Sequence, residues 1–293
     1  MNFEVCDKKG LAKLLKVAPQ ELDYVLRGVD RYYRPAKIPK RDGSRRSLLV
    51  PSGKLKLLQQ KVKQHILDEI PLLDSVQGGV KRRSAVSNAR CHLGQRVVFS
   101  VDLRDFFPNV HPERVRNIFM FFGFGEECAN LLTKITTWRF QLPQGAATST
   151  ALANLAVVSL DLRLFRLAKI HGFAYTRYID DLTLSGGDRL LDFRNLVRRI
   201  VESEGFATKP EKTFTMIEGQ RQTVTRLVVN VKINMPREWR KQLRARLLGH
   251  LAGNPQMVSE ASILGSLNWL AHLNRDAGEA LRSRLTGEAC SGN

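Results

Sequence analysis

The chain has 293 residues, 43% hydrophobic and 26% charged, a composition that favours a globular protein with a sizeable core over a disordered or fibrous one. Its 47 Lys and Arg against 28 Asp and Glu give a net charge of +19, which indicates a polyanionic partner such as nucleic acid. No apolar run approaches the roughly 20 residues needed to span a bilayer, so no membrane role is expected. Four widely spaced cysteines favour neither a disulfide framework nor a zinc site, and predict a reducing, cytoplasmic setting.

The first third of the chain is strongly basic. Leucines at helical spacing over residues 11–30, interrupted by Pro19, predict two short helices. Residues 32–51 hold an Asp-Gly turn between basic extended runs, which predicts a hairpin. Residues 31–96 contain 16 Lys and Arg against 4 Asp and Glu, so one charged face is expected, with an ordinary solvated surface as the alternative.

The remaining elements follow from hydrophobic periodicity. Residues 97–103 form a continuous apolar run that predicts a buried strand, with Asp102 near its end. The spacing of apolar residues predicts helices elsewhere. They are expected over residues 54–70 (ended by Pro71), 112–138, 151–168, 192–203, 236–248 and 263–273, with a further strand over 223–231 and a polar C-terminal tail.

Two adjacent carboxylates, Asp180 and Asp181, lie between short alternating runs at 173–178 and 182–184, which predicts a hairpin with acids at its tip. Like charges held in a tight turn favour a hard divalent cation such as Mg²⁺, although a solvated turn is the alternative. The segment between Asp102 and Asp180 is long enough for a crossover helix, so the three carboxylates are expected to converge. Two Mg²⁺ ions about 3.5–4 Å apart on such a cluster would support nucleotidyl transfer.

Incoming nucleotide phosphates need cations, and Lys40, Arg45 and Arg46 in the basic hairpin are of the right type. Phe106 and Phe107 follow Asp102 closely and are expected to place rings beside a sugar. The alternatives are generic surface for the arginines and ordinary core for the rings.

Four segments, in this order, resemble the palm motifs of reverse transcriptases: VFSVDLRDFFP at 98–108, LPQG at 142–145, YIDD at 178–181 and GFATKPEKT at 205–213. The resemblance implies an α+β right-hand polymerase with an antiparallel palm sheet covered by helices and a short helical thumb. Expected boundaries are N-terminal helices and fingers over 1–94, palm over 95–228 with a helical fingers insertion at about 112–142, and thumb over 229–293.

The same resemblance implies roles for single residues. Phe107 would exclude a ribose 2′-hydroxyl, and Lys212 would donate a proton to pyrophosphate, with Lys209 as its competitor. Two Mg²⁺ ions, or Mn²⁺ in their place, would be held by Asp102, the Leu103 carbonyl, Asp180 and Asp181. Contacts to a dNTP would come from Lys40, Arg45, Arg46, Asp105, Phe106, Phe107, Gln144 and Gly145.

Within this family the chain resembles retron reverse transcriptases most. The motifs that carry this resemblance are NARCH at 88–92 and YTRYIDDLTLS at 175–185. Arg226 replaces the glycine usual in a Val-Thr-Gly motif, and the prolines usual at 147 and 150 are absent, which puts the choice of RNA in question. Expected RNA contacts are Asn88, His92, Thr225, Arg226, Arg237, Arg240, Lys241 and Arg244, with an internal hydrogen-bonded loop as the alternative for Asn88 and His92.

The retron resemblance implies a cognate noncoding RNA as template and primer, and copying from a guanosine 2′-hydroxyl into branched, RNA-linked DNA (msDNA). A role in antiphage defence with an effector protein is a family expectation. Two alternatives stay open: a 3′-primed enzyme of a diversity-generating or group II intron-like element, and a noncatalytic RNA-binding scaffold. Three converging acids argue against the scaffold, which would not need them.

Overall fold

The structure is a computed structural model that describes residues 2–39, 43, 45–253 and 259–286; Lys40, predicted to contact the triphosphate, lies outside them. The helices of this part are α1 (Lys8–Leu15), α2 (Pro19–Leu26), α3 (Gly53–His65), α4 (Ala85–Arg90), α5 (Pro112–Phe121), α6 (Glu126–Thr136), α7 (Ser149–Ala156), α8 (Val158–His171), α9 (Leu190–Ser203), α10 (Arg237–Leu251), α11 (Glu260–Leu273) and α12 (Arg275–Thr286). The strands are β1 (Tyr33–Pro39), β2 (Arg45–Pro51), β3 (Val97–Asp102), β4 (Ala174–Tyr178), β5 (Asp181–Gly186), β6 (Phe214–Ile217), β7 (Thr223–Val224) and β8 (Leu227–Val228).

A four-stranded antiparallel sheet in the order β4-β5-β3-β6 forms the centre of the fold. Residues 97–101 of β3 are all buried, as their mainly apolar sequence predicts, because neighbours cover both faces of this inner strand. Helices α8 and α9 pack against the sheet, and apolar residues of α1–α3 and α5–α9 join its core. The mixture of helices with an antiparallel sheet confirms the predicted α+β class.

The two predicted hairpins are both present. Strands β1 and β2 pair from Tyr33 opposite Pro51 to Pro39 opposite Arg45, and β4 and β5 pair up to Tyr178 opposite Asp181. The two N-terminal helices are also confirmed, and Pro19 begins α2, where its missing N–H costs no intrahelical hydrogen bond.

Several predicted elements are shorter than expected or divided. The helix over 54–70 ends at His65, because Ile66 leaves helical geometry and a 3₁₀ turn follows. The apolar stretch 112–138 forms two helices, α5 and α6. The expected long helix over 151–168 breaks at Val157 (φ −117°, ψ 21°), so that α7 and α8 run separately.

The C-terminal third differs most from its prediction. The expected strand over 223–231 reverses after two residues, because Thr225 and Arg226 form the turn of the small hairpin β7–β8. Strand β6 was not predicted, and the expected polar tail contains α12. A second core cluster joins this hairpin and α4 to α10, α11 and α12.

No helix in the described ranges is long and apolar enough to cross a membrane.

Candidate active site

The pairing of the central strands brings the three predicted acids together. In the β3–β5 register Asp102 lies directly opposite Asp181. The backbone N–H of Leu103 donates to the carbonyl of Asp180 at 2.8 Å, which ties the end of β3 to the β4–β5 turn. The side chains of Asp102, Asp180 and Asp181 therefore lie at one end of the sheet, as the sequence predicts.

The turn that carries Asp180 has an unusual backbone. Only two residues, Ile179 and Asp180, connect the paired Tyr178 and Asp181, and Ile179 has φ +62°. Positive φ at the first central residue is the pattern of a type II′ turn, where glycine is preferred. A β-branched residue there is a true outlier, with a cost of about 1–3 kcal/mol, so its surroundings must hold it in place.

A buried ionic network supports this turn. Arg177 is fully buried and binds both carboxylate oxygens of Asp161 on α8, at 2.8 and 2.7 Å. Its Nη1 donates to Asn154 Oδ1 at 2.8 Å and to the carbonyl of Ile179 at 2.9 Å. Tyr175 donates its hydroxyl to Asp161 at 2.7 Å. Arg177 thus links a strained residue of the turn to the helices beneath the sheet.

Close backbone packing holds the turn from another side. A Cβ added to Gly78 would lie 2.4 Å from the backbone nitrogen of Ile179, so no larger residue fits there. Asn154 Nδ2 donates to the Gly78 carbonyl at 3.0 Å, and the Gln77 N–H donates to the Arg177 carbonyl at 2.7 Å. The loop before α4 is therefore fixed against the acidic hairpin.

Burial and mutual repulsion raise the affinity of the acids for protons. The pKa of Asp181 is raised to about 7, mainly by burial and also by Asp180 and Asp102, although a hydrogen bond from Ser100 at 2.9 Å opposes the rise. The pKa of Asp180 is raised by burial and by the charge of Asp102. Acids whose pKa values are raised in this way are characteristic of functional sites.

Two lysines approach the third acid. Lys209 Nζ lies 2.8 Å from Asp102 Oδ1 and Lys212 Nζ lies 3.5 Å from Oδ2. Oδ1 is buried and makes only this ionic approach, without a well-aligned hydrogen bond. Lys212 has 55% of its side-chain surface exposed against 21% for Lys209, so it is the less confined of the two.

Among the described residues, no three His, Cys, Asp or Glu side chains are arranged so as to enclose one metal ion. The donor set nevertheless suits a hard divalent cation, because it consists of carboxylate oxygens, one of them buried without a hydrogen bond. Burial and like-charge repulsion also leave Asp180 and Asp181 short of positive charge. The three acids therefore suit a divalent cation, whose binding would bring their carboxylates closer together.

An open cavity of about 640 Å³ adjoins the acids, within the usual size range of small-molecule sites. Its lining includes Asp180, Lys209 and Lys212. It also contains these predicted residues: Arg45, Arg46, Asp105, Phe106, Phe107 and Gln144. The sequence thus predicted about half of the residues that the fold brings to this cavity.

Gly145 and the two phenylalanines have distinct positions. Gly145 has φ +116°, and an added Cβ would lie 3.1 Å from the Leu49 carbonyl, so glycine allows β2 to approach. The neighbouring Gln144 carbonyl accepts from the Leu49 N–H at 2.7 Å. Phe106 is only 2% exposed and packs on Phe206, which makes it mainly core, while Phe107 is more open to the cavity.

The residues predicted to bind RNA are divided between interior and surface. His92 is fully buried, with its ring nitrogens 2.7 Å from the hydroxyls of Ser185 and Thr176, and Asn88 is 1% exposed. These positions contradict a direct RNA contact by Asn88 or His92, because neither offers surface. The hydrogen bonds of His92 fit the internal alternative, whereas Asn88 is buried with its Oδ1 lacking a hydrogen-bond partner. His92 instead joins α4 to strands β4 and β5.

Other predicted RNA contacts are accessible. Arg226 is exposed, while Thr225 donates its hydroxyl to the Ala85 carbonyl at 2.9 Å and anchors the β7–β8 turn to α4. On α10, a cavity of about 250 Å³ is lined by Arg237, Arg240, Lys241 and Arg244. Nε of Arg240 is buried there without a hydrogen-bond partner. The opposite side of α10 buries Leu243 and Leu247, as predicted.

The architecture is that of a right-hand polymerase. Telomerase from Candida albicans in complex with a TWJ fragment of telomeric RNA is similar, with a TM-score of 0.54 and 11% identity over 87% of this chain and 56% of that one. Telomerase from Candida tropicalis with the same kind of RNA fragment gives a TM-score of 0.51 and 11% identity, over 88% of this chain and 55% of that one.

The chain belongs to the family "Reverse transcriptase (RNA-dependent DNA polymerase)", which matches residues 38–251, and within it to the retron-type enzymes. The retron Mx65 reverse transcriptase of Myxococcus xanthus is 36% identical over 87% of this chain and 64% of its own length. The retron Ec86 reverse transcriptase of Escherichia coli is 33% identical over 81% of this chain and 76% of its own. The chain thus spans somewhat under two thirds of the Mx65 enzyme.

Several residues around the site were not found by sequence reasoning. They are Asn154, Asp161, Arg177 and Ile179 of the supporting network, together with Ser100. Arg177 stands one residue before the Tyr-Ile-Asp-Asp motif, but an arginine between strand residues reads as surface. Only Asp161 offered a signal of its buried partner, because it falls on the apolar face of α8 with Leu160 and Leu164.

Proposed function

We propose that this chain is an RNA-directed DNA polymerase of a retron. The observation that carries the proposal is the meeting of Asp102, Asp180 and Asp181 beside a cavity of about 640 Å³ lined by cationic and aromatic residues. Its similarity to retron enzymes supports the assignment to that group. In this proposal residues 1–94 act as fingers, 95–228 as palm with an insertion at about 112–142, and 229–293 as thumb.

The acids would hold two Mg²⁺ ions, or Mn²⁺ in their place, with the Leu103 carbonyl as a further ligand. Bound there, the ions would position a triphosphate, activate the attacking hydroxyl and stabilise the leaving pyrophosphate. The protein's own contribution is to keep Asp180 and Asp181 in place on a turn that Arg177 and Gly78 fix from beneath. The new bond joins the primer oxygen to the α-phosphorus of the dNTP, and the bond to pyrophosphate breaks.

The walls of the cavity would select and orient the nucleotide. Arg45 and Arg46 supply guanidinium groups for the triphosphate, together with Lys40. Phe107 would lie against the sugar and exclude a 2′-hydroxyl, with Asp105 and Phe106 completing that wall. Gln144 and Gly145 would contact the nucleotide from the side of β2.

Lys212 is the proposed proton donor to pyrophosphate, because it is more exposed than Lys209 and lies farther from Asp102. Lys209, held at 2.8 Å from Asp102 Oδ1, would mainly balance the charge of that carboxylate.

The substrates and partners of the proposed enzyme are dNTPs and a cognate structured noncoding RNA. Synthesis would begin at a guanosine 2′-hydroxyl and yield branched, RNA-linked DNA. The exposed Arg226 and the basic side of α10 would contact nucleic acid. We further propose that the unit acts in antiphage defence with an effector protein in the cytoplasm.

Replacement of two acids tests the chemistry. Asp180→Asn with Asp181→Asn should abolish DNA synthesis while RNA binding is retained, since the fold loses only repulsive charge. Asp192→Asn, on the exposed start of α9, is the matched surface control and should keep full activity. DNA product from the double variant would refute the assignment of these acids.

The mode of priming is tested in cells that express the protein with its flanking noncoding DNA. Extracted nucleic acid is treated with RNase and with debranching enzyme. A short DNA whose mobility shifts on debranching is the expected result. An unbranched product, or extension of an ordinary 3′-primer alone, would assign the chain to the 3′-primed alternative, and RNA binding without any synthesis would favour the scaffold.

A further inference from the structure

A tight turn with two exposed side chains stands beside the cavity. Trp138 and Gln141 exchange both backbone hydrogen bonds, at 2.9 and 3.1 Å, so Arg139 and Phe140 alone form the tip. Both tip residues have positive φ, +42° and +66°. This is the pattern of a type I′ turn, in which asparagine and glycine are preferred. Arginine and phenylalanine are strained in it.

Phe140 is poorly placed for a structural role. It is 82% exposed, whereas most of the aromatic residues near it are covered. A strained backbone that presents an apolar ring to solvent is costly to the free protein, and such costs concentrate at functional sites. The ring is therefore free to stack on a planar group of a bound molecule.

The base of the turn is rigidly attached. Trp138 packs near Tyr33 of β1, with ring centroids 6.3 Å apart, and the Arg139 guanidinium lies 4.6 Å from the Trp138 ring centroid. A ring nitrogen of His111 lies 3.1 Å from the Phe140 carbonyl. The tip is thus held in one orientation rather than left free.

The position of the turn suggests what the partner is. Gln141, directly after Phe140, lines the cavity together with Gln144 and the residues of β2. The turn also contacts the β1–β2 hairpin, through the packing of Trp138 near Tyr33. An exposed ring next to an arginine is the combination that stacks on a base and attracts its phosphate.

We infer that Phe140 is a stacking platform for the single-stranded RNA template next to the nucleotide being copied. Arg139 contributes charge to the same strand. The inference rests on the proposed polymerase function, because only that function brings a template to this cavity. It adds a nucleic-acid contact outside the acidic motifs and outside the basic side of α10.

The test uses the full chain and a DNA primer annealed to RNA templates that are either blunt or carry a 5′ overhang. The overhang contains 2-aminopurine at the first nucleotide beyond the templating base. Wild type should quench this fluorophore. Phe140→Ala should abolish quenching and weaken binding of the overhang substrate about tenfold, without effect on the blunt substrate. Phe140→Tyr should restore both.

Two further variants separate binding from folding. Phe140→Gly should bind as weakly as Phe140→Ala yet melt at a higher temperature, because glycine tolerates the positive φ. Phe121→Ala removes a ring that is also 82% exposed, on α5, and should behave as wild type.

Unchanged quenching and affinity in Phe140→Ala would overturn the inference, as would an equal loss on blunt and overhang substrates, which would mean a duplex contact. Primer extension is followed in the same samples. A wild type that quenches the fluorophore but makes no DNA would refute the proposed polymerase function, and with it the template role, while still showing that the ring stacks on single-stranded RNA.

Discussion

Arg226 occupies a backbone position that suits glycine. It has φ +69°, follows Thr225 at +46°, and completes a two-residue turn between β7 and β8. The residue in place of the glycine of a Val-Thr-Gly motif therefore has a left-handed backbone, which glycine adopts without strain. What the substitution adds is an exposed cation at the price of local strain.

Arg226→Gly should leave the free energy of unfolding unchanged or raise it by up to about 1 kcal/mol, because relief of strain outweighs the greater entropy of the unfolded chain. Arg226→Ala keeps the strain and serves as the matched control. Chemical denaturation measures stability, and both variants should bind the cognate RNA less tightly than wild type. A clear loss of stability in Arg226→Gly would mean that the arginine side chain packs on the protein.

His92 makes stability depend on pH. Burial lowers its pKa from 6.5 to about 4, so the unfolded chain binds a proton more readily than the folded one between these values. Stability therefore falls as pH decreases from 6.5 towards 4, by about 3 kcal/mol for this group alone.

His92→Gln should lack this contribution, so that its denaturation free energy falls less steeply than that of wild type between pH 6.5 and 4. Asp181, whose raised pKa favours the folded state as pH falls, is common to both proteins and cancels in the comparison. If the two stability profiles ran parallel against pH, His92 would accept a proton as readily in the folded protein as in the unfolded chain, contrary to its burial.

Sequence reasoning at this scale succeeded for residues whose chemistry is explicit and failed for those whose role depends on burial. Asp102, Asp180 and Asp181 are acids in recognisable motifs, and they converge. His92 was expected to contact RNA, with an internal hydrogen-bonded loop as the alternative, and Arg177 lies in an alternating run that suggests surface. Only the packing of α4 and α8 against the sheet shows that both are enclosed and fully hydrogen-bonded.

Among the elements, the acidic hairpin depends most on its support. Arg177 and Asp161 are both fully buried and form a bidentate pair, and Arg177 also donates to the carbonyl of the strained Ile179. Removal of one partner would leave a charge buried without compensation, which typically costs about 3–5 kcal/mol.

Arg177→Met should therefore strongly reduce the free energy of unfolding, and adding Asp161→Leu should recover much of the loss. DNA synthesis should stay impaired in the double variant, because Ile179 still lacks its donor and the turn is free to move. Denaturation and steady-state kinetics on the same preparations separate the two effects. Wild-type kcat in a stable double variant would show that the pair serves folding alone.

Predictions at the scale of elements were most accurate where one physical signal dominated. The alternating runs around Asp180 correctly predicted β4 and β5, and the Asp-Gly turn between extended runs correctly predicted β1 and β2. The break at Val157 has no glycine or proline to announce it, and β7–β8 turns at Thr225 and Arg226, which are not turn formers. These features are imposed by tertiary packing, which local patterns do not contain.

For the whole molecule, the net charge of +19 predicts a polyanionic partner but not where it lies. On α10 the fold groups four cations around a cavity whose lining is separate from that of the cavity with the acids, and we predict that the partner binds there. Because these cations line one cavity, we expect the group to bind phosphates rather than act as a solvated surface.

Neutralising Arg237, Arg240 and Arg244 together with glutamine should flatten the salt dependence of template–primer binding. Each phosphate contact releases counterions and contributes about 0.9 to the slope of log K against log salt, so the slope should fall by about two to three. Glutamine keeps the helical propensity of α10.

Arg166, Arg198 and Arg199, exposed on α8 and α9, provide a control triple variant with the same charge change. If both variants lower the slope equally, binding follows net charge alone; if neither does, the duplex lies on another face.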